Sequence, residues 1–238
     1  MRIDKFLANM GFGTRKEVKK LLKTGTVRLN DETVKDAKVH IDVNRDSVIV
    51  NGEVIEYKEF IYLMMNKPQG VISATEDSKD ETVVDLLQLE DARYEPFPVG
   101  RLDKDTEGFV LLTNNGKLAH ELLSPKKHVP KTYYARIQGV VTEEDVAKFK
   151  IGVTLDDGYE TKPADLVILK SGEISEIELT ITEGKFHQVK RMFIAVDKKV
   201  TYLKRLSIGP LKLDPTLELG EYRELTDEEI ELLVNREQ

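Results

Sequence analysis

Ile3, Phe6, Leu7 and Met10 recur at helical spacing near the start of the chain, with Gly11 behind them as a stop. A second helix is predicted at once. Thr14 stands as N-cap with Glu17 three positions on, the capping-box pattern, and Gly25 closes the segment. At about 100° per residue, Val18, Leu21 and Leu22 gather on one side, and Arg15, Lys16, Lys19, Lys20 and Lys23 on the other. The period then changes. TVRLND alternates, and in SVIVNGEVI the pair Asn51-Gly52 between two apolar runs predicts a hairpin.

Beyond EYKE, the run FIYLMM is apolar throughout, as suits a buried strand, and it ends in the turn NKPQG. FVLLTNNG then predicts a strand and turn, KLAHELL a short helix, and KTYYARIQG and EIELTIT two further strands. In EGKFHQVKRMFIAV, Val189, Met192, Phe193 and Val196 form an apolar stripe, while His187, Lys190 and Arg191 share the opposite side. Helices and strands mix with antiparallel-type turns, which predicts the α+β class. The expected layout is a small two-helix plus β domain over residues 1–57, then a larger domain over residues 58–238. The larger domain should carry a mixed, mainly antiparallel sheet flanked by helices. No glycine-rich phosphate loop of the P-loop or dinucleotide kind is present.

Composition narrows the chemistry. No apolar run approaches the roughly 20 residues of a membrane span, and MRIDKFLANMGF lacks the apolar stretch of a signal peptide. The expectation is a soluble, cytoplasmic monomer. There is no cysteine, so disulfides and thiolate catalysis are excluded, and the four histidines, at 40, 120, 128 and 187, form no zinc-type pattern. Chemistry without metal or cofactor is therefore favoured. The net charge of −7 argues against a nucleic-acid partner, yet the first 30 residues hold eight Lys and Arg against Asp4 and Glu17. Such a ridge is either a phosphate-binding footprint or a solvated helix face.

One stretch stands apart. GRLDKDTEG, residues 100–108, packs three acids and two bases among apolar flanks. A tight turn explains Gly100, Asp103, Asp105 and Gly108; an active-site carboxylate is the alternative. Spacing alone yields a carboxylate loop and, separately, a basic helix.

The first 50 residues or so resemble the small RNA-binding module named after ribosomal small-subunit protein four. PVGRLDKDTEG, KTYYARIQG and EGKFHQVKRM, in that order and with NKPQG upstream, resemble the signature of the pseudouridine synthases. More narrowly, they are similar to the branch that modifies ribosomal RNA and begins with that module. Within it, MRIDKFLA, ETKPADL and LELGEYRELTDEEI are more similar to the small-subunit type than to its large-subunit relatives.

This resemblance implies cofactor-free isomerisation of a uridine in small-subunit rRNA, or in a partly assembled small subunit. It implies that Asp103 is the essential carboxylate at sugar and base, that Lys190 is the cation favouring its charged form, and that Tyr133 stacks on the base. Tyr134 would face the other side of its strand. The target base must be flipped out or already unstacked.

Lys67 and Arg101 are candidates for phosphate or wedge contacts, or else for salt bridges with Asp105 or Glu107. His187 and Arg191 are further candidates for RNA contact, although a structural hydrogen bond fits His187 equally well. Asp105 and Thr106 are expected to brace the turn, through its backbone or Arg101. The cations of the second helix, Arg15, Lys16, Lys19, Lys20 and Lys23, would meet phosphates. Three rivals remain at this stage: a large-subunit rRNA target, a non-catalytic RNA-binding assembly factor, and a metal-dependent phosphoesterase using Asp103, Asp105 and His187.

Overall fold

The computed structural model describes residues 1–234 and divides into two units: Met1–Ile61 with Gln88–Pro96, and Tyr62–Leu87 with Phe97 onward. In the first unit, α1 (Ile3–Asn9) and α2 (Arg15–Lys23) pack on a four-stranded antiparallel sheet. Its strands are β1 (Val27–Leu29), β2 (Glu32–Thr33), β3 (Val48–Val50) and β4 (Glu53–Ile55), in the order β2-β1-β3-β4.

The predicted capping box is formed. The Glu17 amide donates to Thr14 Oγ1 at 3.4 Å, and the Thr14 amide donates to Glu17 Oε2 at 2.7 Å. Val18 and Leu22 are buried with Phe6, Leu7, Val27 and Val50, whereas Arg15, Lys16, Lys19, Lys20 and Lys23 are exposed and form no ion pair among the described residues. The β3–β4 hairpin turns at Asn51 and Gly52 with φ of 52° and 90°, as a type I′ turn demands. The returning segment Gln88–Pro96 carries a short helix, α3 (Leu89–Ala92), and places Tyr94 against Met10. Nothing in the local pattern announces that return.

The second unit contains β5 (Tyr62–Lys67), β6 (Phe97–Pro98), β7 (Glu107–Thr113), α4 (Gly116–Leu123), β8 (Lys131–Gln138) and α5 (Glu143–Ile151). It continues through β9 (Asp165–Lys170), β10 (Ile174–Ile181), α6 (Gln188–Ile194), β11 (Lys199–Ile208), β12 (Leu211–Lys212), β13 (Tyr222–Glu224) and α7 (Asp227–Val234). The sheet runs β13-β5-β7-β11-β8-β10-β9, with β6 and β12 paired at its side. β7 and β11 are parallel and the other pairings among the described residues are antiparallel, so the sheet is mixed and mainly antiparallel as expected. Met64, Phe109, Leu111, Leu118, Leu122 and Ile208 belong to one core between this sheet and α4.

The β7–β11 seam sets the site. Gly108 has φ +102°, and a Cβ there would lie 2.3 Å from the Arg205 carbonyl oxygen and 2.7 Å from its amide nitrogen. No side chain fits so close an approach. The GRLDKDTEG loop therefore leaves the sheet at a position that only glycine can occupy. Its other end is tied down. Ser73 Oγ accepts from the Leu102 amide at 3.0 Å, the Gly70 amide donates to the Lys104 carbonyl at 2.8 Å, and Lys104 pairs with Asp80 at 2.6 Å.

Candidate active site

Asp103 and Lys190 meet beside a cavity of roughly 760 Å³ in the second unit. Lys190, in the first turn of α6, donates to Asp103 Oδ2 at 3.1 Å and to Asp105 Oδ1 at 2.6 Å. Partial burial disfavours the Lys190 ammonium, but its hydrogen bonds to Asp105 and Asp103 outweigh that and raise its pKa. Asp105 is held below the ordinary carboxylate value, chiefly by the same hydrogen bond. Asp105 thus bonds Lys190, and the brace expected from Arg101 is not formed. His187 places Nε2 3.6 Å from Asp103 Oδ1. The Asp103 side chain keeps 28 % exposure, enough to be reached from the cavity.

The remaining lining is apolar on one side and cationic on another. Tyr133 on β8, Ile181 at the end of β10, Val189 on α6 and Leu203 on β11 are buried wall residues. The Tyr133 hydroxyl bonds no described residue. Tyr134, one position on, points to the opposite face and donates to Glu176 at 2.7 Å beside Tyr202, as strand alternation requires. Arg101 is exposed at the cavity edge and forms no ion pair among the described residues, and neither Asp105 nor Glu107 is bridged to it.

Two expected RNA contacts are placed elsewhere. Lys67 is fully buried, and its ammonium donates to the carbonyls of Pro68 at 2.8 Å and Val71 at 2.7 Å. Burial lowers its pKa to about 8, against the pull of Asp105, Glu107 and Asp103. It fastens the NKPQG turn and is not presented to a phosphate. Arg191 is clamped by Asp156 at 2.6 Å through Nε and by Asp157 at 2.7 Å through Nη2. Its charge is already matched. His187, Lys190 and Arg191 therefore do not act as three free cations on one face.

Pattern reading misses four residues of this region. Arg205 on β11 is buried, donates through Nε to the Phe109 carbonyl at 2.8 Å, and keeps Nη2 without a partner among the described residues. A buried donor left unpaired costs about 1–3 kcal/mol, which a substrate acceptor would remove. Lys131, at the start of β8, donates to the Val129 carbonyl at 3.1 Å, and burial, with Arg205 nearby, lowers its pKa to about 8. Glu183 is buried and accepts from Tyr159 Oη at 2.7 Å, Gln188 Nε2 at 2.7 Å and the Lys162 amide at 3.0 Å. Phe186 lies in the loop that this network secures. The alternating run YLKRLSI was the available signal for Arg205; the others depend on partners distant in sequence.

Among the described residues, no group of three or more His, Asp or Glu side chains is placed to hold a metal ion. The cation between Asp103 and Asp105 is Lys190. No described helix is long and apolar enough to cross a membrane.

The model of the RNA pseudouridylate synthase family matches residues 61–195, and that of the S4 domain matches residues 1–47. The chain is 58 % identical to an RNA pseudouridine synthase of Bacillus subtilis described as uncharacterized, over 98 % of both chains. It is 41 % identical to ribosomal small subunit pseudouridine synthase A of Haemophilus influenzae, covering 98 % of this chain and 100 % of the relative. It is also 39 % identical to ribosomal large subunit pseudouridine synthase B of Bacillus subtilis, covering 98 % and 95 % respectively.

Proposed function

The chain belongs to the RNA pseudouridylate synthase family, and from that premise we propose that it isomerises one uridine of small-subunit ribosomal RNA with Asp103 as the essential carboxylate. In this isomerisation the ribose C1′–N1 bond breaks, the uracil turns within the site, and C1′ bonds to C5. C5 gives up its proton and N1 gains one, so the composition of the RNA is unchanged. Asp103 meets the sugar–base junction, and Lys190 balances its charge. Tyr133 lies along the base and, with Ile181, Val189 and Leu203, keeps water from it. The Arg205 Nη2 supplies a donor to the substrate.

The observation that carries this reading is the placement of Asp103, in a cavity large enough for a nucleotide and 3.1 Å from a lysine 87 residues away. The base must leave its helix to arrive there. Residues 1–57 form the RNA-binding module, whose exposed cations on α2 follow the phosphate backbone and set orientation without reading sequence. We place the protein in the cytoplasm, acting as a monomer.

The small-subunit target is supported by the Haemophilus influenzae relative and by the MRIDKFLA, ETKPADL and LELGEYRELTDEEI segments. The large-subunit relative matches at nearly equal identity, which gives a large-subunit uridine as the second reading. Both are tested by incubating the protein, with chelator present, with small-subunit and large-subunit rRNA transcripts separately. Pseudouridine is then mapped by carbodiimide-dependent reverse-transcription stops. A new stop in the small-subunit transcript is the expected result; a stop in the large-subunit transcript alone transfers the activity to the second reading. No stop in either transcript or in partly assembled particles overturns both.

A further inference from the structure

Phe186 is the second residue of a four-residue turn, Lys185 to Gln188, that the fold holds at both ends. The Lys185 amide donates to Gln188 Oε1 at 2.8 Å, the Gln188 amide donates to the Lys185 carbonyl at 3.1 Å, and Gln188 Nε2 is anchored on buried Glu183 at 2.7 Å. Lys185 places its ammonium over the Tyr159 ring at 4.3 Å, and Tyr159 in turn donates to Glu183. The next residue, His187, is in the left-handed region with φ 49°, a conformation that costs a non-glycine residue energy. At the tip of this braced turn stands a phenylalanine that is 75 % exposed.

Its ring is stacked on His187, with centroids 3.7 Å apart and planes 20° from parallel. One face is thus covered and the other is open. His187 itself lies 3.6 Å from Asp103, so the open face is two side chains from the reactive carboxylate, at the lining of the same cavity. Arg101, Lys162 and Lys185 line that cavity too, and they favour a polyanionic strand there. A single exposed apolar residue is ordinary in itself. A rigidly presented aromatic face beside a nucleotide-sized cavity and its cations is the construction by which proteins hold an unpaired base.

We propose that Phe186 is a stacking platform for a nucleobase flanking the target uridine, and so a positioning residue for the RNA strand at the site. This rests on the reading of the cavity as the uridine site. The neighbouring base lies on the open face of the Phe186 ring with His187 behind it, while the target base enters toward Asp103. The contact is with a π face, so it selects for an unstacked neighbour and not for a particular base.

The test uses the full chain and whichever rRNA transcript the wild type modifies. Phe186→Ala and Phe186→Leu are expected to raise KM for RNA by roughly 5- to 100-fold, the range of one base–aromatic stack, with kcat changed much less. Phe186→Tyr and Phe186→Trp should restore KM, because they restore a ring. Thermal unfolding should be the same in all four, since the side chain is exposed.

The protein has no tryptophan, which makes Phe186→Trp its sole tryptophan, excited selectively at wavelengths where tyrosine does not absorb. Its emission should be quenched by the transcript and left unchanged by an abasic ribose-phosphate oligomer of equal charge. Wild-type KM in Phe186→Leu, or unquenched emission at saturating transcript, overturns the proposal. The fluorescence arm reads binding and not turnover. A wild type that forms no pseudouridine in either transcript or in partly assembled particles therefore overturns the uridine-site reading, while quenching by the small-subunit transcript still decides the stack.

Discussion

Lys190 Nζ stands 3.1 Å from Asp103 Oδ2 and 2.6 Å from Asp105 Oδ1, so one ammonium joins the α6 helix to both aspartates of the GRLDKDTEG loop. Its removal should cost rate more than stability. Lys190→Met is expected to lower kcat about 100-fold, the scale of a positioned charged group, with RNA affinity within about threefold. Lys190→Arg, which keeps the charge, should recover part of the loss.

The same pair gives a signed pH effect. The hydrogen bond from Lys190 depresses the Asp105 pKa below its ordinary 3.8, so the stabilisation from this contact is present above that value and disappears as pH falls through the lower, folded value. Asp105 is largely exposed, and the effect on global stability is correspondingly small. Carboxyl carbon shifts followed by NMR titration should show Asp105 titrating below 3.8 in the wild type and close to it in Lys190→Met.

Lys67 and Lys131 give a pH effect of the same sign in the alkaline range, although here folding disfavours the charged form. Burial lowers each from 10.5 to about 8, so between those values the unfolded chain binds more protons than the folded one. Stability against urea should therefore rise as pH increases from about 8 to about 10.5 through these two groups. In Lys67→Met that slope should be visibly shallower.

Gly108→Ala should be among the most damaging single-methyl changes in the chain. The added carbon would lie 2.3 Å from the Arg205 carbonyl oxygen, and φ is +102°. Strain and overpacking together predict about 2–4 kcal/mol of lost stability in urea unfolding. Activity should also fall, because Arg205 and the Asp103 loop meet across this seam.

The cations of α2 should influence RNA binding and leave chemistry alone. Lys16→Gln with Lys19→Gln removes two charges that are exposed and pair with no described acid, which should reduce the slope of log K against log salt by about 1.4–1.8. The kcat at saturating RNA should not change.

Local pattern was sufficient for α1, the capping box of α2, the Asn51-Gly52 hairpin, and the strands around MetMet and KTYYARIQ, since each depends on neighbours within a few residues. It was insufficient where burial or pairing is decided far away. Lys67 follows an apolar strand and precedes Pro68 and Gly70, so it reads as a surface turn, yet Val71 captures its ammonium from below. Arg191 reads as a free helix cation until Asp156, 35 residues earlier, is brought against it. The charges of KVTYLKRLSI disguise β11, although Leu203 and Arg205 face inward and line the site. Asp103 and Lys190 were legible as candidates through resemblance; their 3.1 Å approach was not.

The claim on which the rest depends is that Asp103 carries out the isomerisation. The most direct test is tritium release from [5-³H]uridine-labelled rRNA transcript, because C5 loses its hydrogen only if the new carbon bond forms. Wild type and Asp103→Asn would be compared at matched RNA occupancy, measured by filter binding. The account predicts equal binding and at least about 1000-fold slower release in the variant. Release at the wild-type rate from Asp103→Asn would contradict it.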